Sequence, residues 1–176
     1  MTDGLQWLAG RALYHAVITD GVLRARRTVW IATANLKDLY VPSGRRRYRP
    51  ILETFGEMAR DGVQFRIIHA ELPSRSFRES FDALPALVEG GLELQICPRS
   101  HWKMVIVDGE FGYAGSANFT GAGLGAKSEA NRNLELGAVG REPAFVAMLE
   151  QAFDQFWMGE HCEGCGRRDL CPDPIR

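Results

Sequence analysis

Three short strand-like runs, each preceded by a stretch of helical periodicity, leave this chain few ways to fold. Residues 28–34 (Thr-Val-Trp-Ile-Ala-Thr-Ala), 63–69 (Val-Gln-Phe-Arg-Ile-Ile-His) and 92–97 (Leu-Glu-Leu-Gln-Ile-Cys) read as strands, the first of them apolar and rich in β-branched residues. The first suits a strand covered on both faces. Helices are expected over roughly 50–60 and 77–88, with Asp61-Gly62 and Gly90-Gly91 turning the chain into the strands that follow. Strands alternating with helices predict an α/β domain with a mixed, mainly parallel sheet sandwiched by helices. Leu5, Leu8, Ala12, Ala16 and Val17 fall at helical spacing and Asp20-Gly21 offers a break before Val22, so two helical pieces are expected to open the domain.

The pattern changes after His101. Residues 104–107 and 111–114 read as two strands joined by Asp108-Gly109, a hairpin inside the α/β sheet. Residues 133–139 read as one more strand and 143–157 as an apolar-faced closing helix. A chain of 176 residues holds one core, so the expected division is a domain over 1–158 and a Cys-rich tail over 159–176 packed on it. The long connection at 35–50 carries Arg45-Arg46-Arg47-Tyr48-Arg49.

Composition excludes some classes. Apolar residues make up 45% and charged residues 24%, the profile of a folded globular domain. With 21 basic and 22 acidic residues the net charge is −1, so affinity for a polyanion has to come from local clusters. No run approaches the ~20 apolar residues of a membrane span, and Met1-Thr2-Asp3-Gly4 does not begin a basic-then-apolar leader, so a cytoplasmic location away from the membrane is expected.

The chemistry-bearing residues are His101, Lys103 and Asp108, in the order H-x-K-x4-D, followed by Gly115-Ser116-Ala117-Asn118. A lone His-x-Lys on a strand is usually a polar edge, but this longer pattern resembles the signature of the phospholipase D superfamily, and the resemblance extends from Thr28 to about Trp157. Strand geometry puts His101 and Lys103 on one side and Trp102 on the other. A tight hairpin returns Ser116 and Asn118 to the same end, so a base, a cation, a hydroxyl and an amide converge.

Such a set suits phosphoryl transfer. His101 is expected to be the nucleophile, with Lys103 and Asn118 on the non-bridging oxygens, each donor worth ~3 to 4 kcal/mol, and Ser116 supporting the same oxygens or positioning Lys103. A nucleophilic imidazole needs its second nitrogen oriented, and Glu135 is the candidate. Relatives carry N-x-E on the strand after G-S-x-N, where Asn133-Leu134-Glu135 stands here. The resemblance implies that Asp108 and Gly115 are structural. A second group must protonate the leaving oxygen, yet His15, His69 and His161 lack a lysine two residues on. A homodimer sharing its two copies of His101 resolves this, with no metal required for catalysis.

Two further features bear on partners. The arginine run is either a solvated loop or a phosphate contact; it leaves the carboxyl end of the first strand, where α/β sheets place ligands, and Tyr48 could stack a base. His69 reads as structural, and the glycines at 121, 123 and 125 as a turn rather than a dinucleotide motif. Cys162, Cys165 and Cys171 follow C-x2-C-x5-C, with Cys97 upstream. This order resembles the iron-sulfur staple of some DNA helicase-nucleases and CRISPR-adaptation nucleases, which have an unrelated fold. A structural [4Fe-4S] cluster is expected, with zinc as the alternative, free thiols as the remaining reading, and His161 as a substitute fourth ligand. The expected function is a phosphodiesterase acting on DNA or RNA. The rivals are a phospholipid-cleaving enzyme and a non-catalytic nucleic-acid-binding subunit of a larger defence or repair complex.

Overall fold

A computed structural model describes residues 4–37, 39–45 and 47–175. Strand β1 (Gln6–Ala9) leads into a single helical turn, α1 (Arg11–Leu13), which continues as a π-helical segment, Tyr14–Thr19. Strand β2 (Thr28–Thr33) follows, and then a small hairpin of β3 (Tyr40–Pro42) and β4 (Tyr48–Pro50). Helix α2 (Ile51–Arg60), β5 (Gln64–His69), α3 (Arg75–Asp82) and β6 (Leu92–Ile96) make up the α/β part. The chain ends with the hairpin β7 (Met104–Val107) and β8 (Phe111–Gly115), strand β9 (Leu136–Gly140) and helix α4 (Pro143–Trp157).

The main sheet has seven strands in the order β1-β9-β8-β7-β2-β5-β6. It is mixed, as expected, but parallel pairing is confined to β2, β5 and β6, and every other neighbouring pair is antiparallel. The helical crossovers at α2 and α3 dictate the parallel part, while the hairpin and the return through β9 impose the rest.

Strand alternation builds a core on each face. Val29 and Ile31 of β2, Phe65 and Ile67 of β5, and Val105 and Val107 of β7 point toward α2 and the N-terminal helical segment. Ala32, Ile68, Met104 and Ile106 point to the other face, under Phe145, Val146, Leu149 and Phe153 of α4. Trp30 stacks on Phe153 at 5.1 Å between ring centroids, Trp157 stacks on Phe153 at 5.7 Å, and the Arg66 guanidinium lies over both tryptophans.

The expected boundaries shift in four places. Residues 6–9 form an edge strand rather than part of a helix, because β9 offers an unpaired edge and the chain breaks at Gly10, where φ is +56°. The helix expected at 77–88 stops at Asp82, and a separate turn over Leu87–Gly91 leads into β6. The strand expected at 133–139 begins only at Leu136, so Asn133 and Glu135 lie on the loop before it. The connection at 35–50 folds into the β3–β4 hairpin.

At the turn of the β7–β8 hairpin, Asp108 and Gly109 both take positive φ, +56° and +68°. Asp108 tolerates this conformation because its carboxylate accepts the backbone N–H groups of Arg26, Arg27 and Thr28 at 2.8–2.9 Å, fixing the start of β2. Phe153 is fully buried and stacks with two tryptophans. Phe153→Ala should therefore cost about 3–5 kcal/mol, seen as a lower urea midpoint with an unchanged slope.

Candidate active site

His101 and Lys103 precede β7 rather than lying on it, but the expected alternation survives. The Lys103 ammonium stands 3.3 Å from His101 Nδ1 and donates to the His101 carbonyl oxygen at 2.7 Å. Trp102 points the other way and packs on Phe156 of α4 at 5.1 Å. An apolar anchor thus fixes the backbone from which an exposed imidazole projects. Burial holds the Lys103 ammonium below its ordinary pKa, while the nearby Glu135 carboxylate pulls the other way.

The segment after β8 is held from several sides. The hydroxyl of Tyr113 accepts the Ala117 N–H at 3.0 Å and donates to the Ala117 carbonyl at 3.3 Å, locking the turn that carries Ser116 and Asn118. Burial pushes that phenol well above its usual range. A Cβ on Gly115 would stand 2.6 Å from the Gly137 Cα and 2.7 Å from the Leu136 carbonyl oxygen, so a side chain there would prise β8 from β9.

Asn118 Oδ1 accepts the N–H groups of Ala34 and Asn35, both at 3.1 Å, with the Thr33 hydroxyl at 3.3 Å. Backbone N–H groups only donate, so these contacts fix which end of the amide is oxygen and leave its NH2 as the group facing elsewhere. The end of β2 is thereby tied to the motif turn.

Glu135 sits differently from the expected orienter of His101. Its carboxylate accepts the Ser116 hydroxyl and, at 3.1 Å, the Asn133 amide; among the described residues no hydrogen bond joins it to His101. The reason is the loop: Glu135 precedes β9 and reaches Ser116, which itself accepts the Leu136 N–H at 3.1 Å. Within one chain Glu135 links Ser116 and Asn133 and lies near Lys103.

The arginine run divides. Arg45, Arg47 and Tyr48 are exposed at the β3–β4 hairpin, and Arg46 lies outside the described residues. Arg49 is not available to a ligand, because its guanidinium grips both oxygens of Glu57 and donates to the Thr54 hydroxyl at 2.9 Å. A cleft of about 820 Å³ opens between this hairpin and the motif turn, with Asn118 and Asn133 in its wall. Arg11, Lys37 and Lys127 supply its charge and Tyr14, Tyr40 and Tyr48 its aromatic surface, and among the described residues no carboxylate lines it. Sequence reading found only Tyr48 and the asparagines of this set. Arg11, Tyr14, Tyr40 and Lys127 carry no local signal, since they are scattered over more than a hundred residues.

His69 is buried and structural, as expected. Its Nε2 accepts the Leu36 N–H at 2.8 Å while Nδ1 meets the Glu71 carbonyl. The four cysteines are partly buried and line one cavity together with His161, although among the described residues no three His, Cys, Asp or Glu side chains are gathered tightly enough to hold a single metal ion. Neither the expected iron-sulfur cluster nor its zinc alternative is shown by this arrangement.

A histidine and lysine in front of a β-hairpin and a G-S-x-N turn after it, on a mixed α/β sheet, define a phospholipase D-like domain. Residues 18–157 match the family model described as cardiolipin synthase, PLD-like domain, and the chain belongs to this family. A cardiolipin synthase of Geobacillus thermodenitrificans is 28% identical over 117 residues, covering 64% of this chain and 21% of the relative, so the chain spans about a fifth of that protein's length. Among solved structures, NucT from Helicobacter pylori superposes with a TM-score of 0.62 at 14% identity, covering 86% of this chain and 95% of that one. The phospholipase D family member Nuc from Salmonella typhimurium gives 0.59 at 17% identity, covering 88% and 93%. At such identities the structures share the fold.

Burial lowers the His69 pKa, and this has a pH signature. The folded chain resists protonation that the unfolded chain accepts, so stability falls as pH drops below the unfolded value of about 6.5 and toward the folded one. His69→Gln should flatten that part of the profile, read as the difference in urea midpoint between the two proteins from pH 8 to pH 5.

Proposed function

We propose that this domain hydrolyses phosphodiester bonds in single-stranded nucleic acid through a phosphohistidine on His101, in a site completed by a second copy of the chain. The observation that carries the substrate is the cleft beside Asn118, where three cations and three tyrosines meet. Lysine and arginine neutralise backbone phosphates, and stacking on an aromatic ring is worth ~1–3 kcal/mol per base. Metal-independent phosphodiester chemistry fits the family.

In the first step an imidazole nitrogen of His101 attacks phosphorus, a P–N bond forms and the P–O bond to the leaving group breaks. A second histidine gives that oxygen its proton. The same histidine then takes a proton from water, whose oxygen attacks phosphorus, and the P–N bond breaks to restore His101. Lys103 and the Asn118 NH2 stabilise the non-bridging oxygens, and Ser116 and Glu135 hold the turn on which Asn118 is set.

The second histidine is supplied by His101 of the partner subunit. Leu134, fully exposed, and Leu136, 54% exposed, flank Glu135, and Trp7, 70% exposed, lies on the same face of the β1–β9 edge as Leu136. An apolar edge beside the motif is suited to an isologous contact.

A second reading has its own support: the relative named cardiolipin synthase favours a phosphatidyl group as the substrate. The two readings separate in one assay. With EDTA present, single-stranded DNA or RNA should be cut by the native chain and not by His101→Ala, while phosphatidylglycerol and cardiolipin vesicles stay intact. Lipid turnover without nucleic-acid cleavage overturns the nuclease reading, and binding without any turnover favours a non-catalytic subunit of a larger complex. Lys37→Ala and Lys127→Ala should each reduce the salt dependence of binding by about one released ion.

The shared site makes a separate prediction. The paired change Leu134→Asp, Leu136→Asp should halve the mass seen by light scattering and abolish cleavage. A native chain that is monomeric and fully active would refute the two-copy site.

A further inference from the structure

We propose that Cys97, Cys162, Cys165 and Cys171 hold a polynuclear iron-sulfur cluster that fastens the C-terminal tail to the end of β6. The four thiols come from two segments more than sixty residues apart, yet all four face one cavity. A donor set made only of thiolates selects soft metals. Asp173 also reaches the cavity wall, but its carboxylate is placed to accept the Ile96 N–H at 3.4 Å.

Spacing bears on whether one ion or a cluster is held. Four thiolates around a single zinc ion lie about 2.3 Å from it and therefore crowd together. Here no three such side chains among the described residues gather that closely. A cubane distributes its four ligands over four iron atoms and takes a wider set of thiols, and four thiols that line one cavity suit that demand.

Charge agrees with the donor set. A cluster carrying four thiolates is anionic, and the arginines at 99, 167 and 168 line the same cavity. Two of them also cross between the ligand segments: Arg167 donates to the Pro98 carbonyl at 2.8 Å and Arg99 to the His161 carbonyl at 3.3 Å. Cys97 itself is held by its N–H to the His69 carbonyl at 2.8 Å, at the end of the sheet.

The tail also needs a reason to be ordered. Beyond α4 it forms only short turns, and Met158 and Leu170 are 69% and 74% exposed, so it buries little apolar surface. A segment without its own core gains its fold from a metal centre, whose binding free energy becomes folding free energy. The role is structural and does not depend on which phosphodiester the domain cleaves.

The full-length chain, purified without oxygen or reconstituted with ferrous iron and sulfide, should be brown, with iron and acid-labile sulfide in equal amounts. Cys97→Ser should lose most of the bound iron while keeping the native far-ultraviolet circular dichroism. In the wild-type protein all four cysteines should resist alkylation until the cluster is destroyed, which tests the ligand set even where a variant misfolds. A colourless protein holding zinc, or one that binds no metal after reconstitution, overturns the proposal. Full iron content in Cys97→Ser, or a thiol that alkylates freely in the loaded protein, overturns the four-ligand assignment.

Discussion

The antiparallel pairing of β7 with β2, from Val29↔Val107 to Ala32↔Met104, determines where every chemical group in this domain lies. It places the turn of the β7–β8 hairpin at the start of β2, where the Asp108 carboxylate takes three backbone N–H groups. It also places the open end of the hairpin at the end of β2, where Asn118 takes two more and the Thr33 hydroxyl. The motif is therefore pinned at both ends by side-chain acceptors on strand termini, groups that are costly to leave unsatisfied when buried.

Between these pins, the site is a division of labour between rigid and reachable atoms. Trp102 and Tyr113 spend their aromatic surface on the core and, for Tyr113, a hydroxyl on the Ala117 backbone. His101, Ser116 and Lys103 stay at or near the surface. Groups that are to act on a phosphodiester have to be reachable, and a transition state that needs fixed dipoles needs the rigidity behind it.

Much of this was legible in sequence because it rests on local rules. The H-x-K-x4-D spacing, the Asp-Gly turn and the alternation of Val105 and Val107 against Met104 and Ile106 follow from strand and turn geometry. The α2 and α4 spans follow from helical periodicity. The errors arose where a distant partner decides: residues 6–9 become a strand only because β9 has a free edge, and Arg49 is silenced only because Glu57 lies a helical turn beyond Thr54.

The sequence by itself determined the family, the residue types of the site and the hairpin that presents them, since each is encoded within a few neighbouring positions. Only tertiary structure decided that Glu135 turns to Ser116 rather than His101, that Arg11, Lys37 and Lys127 share a cleft with three tyrosines, and that Cys97 faces the tail. Those outcomes depend on loop paths and crossings between elements far apart in the chain, and no periodicity along the sequence records them.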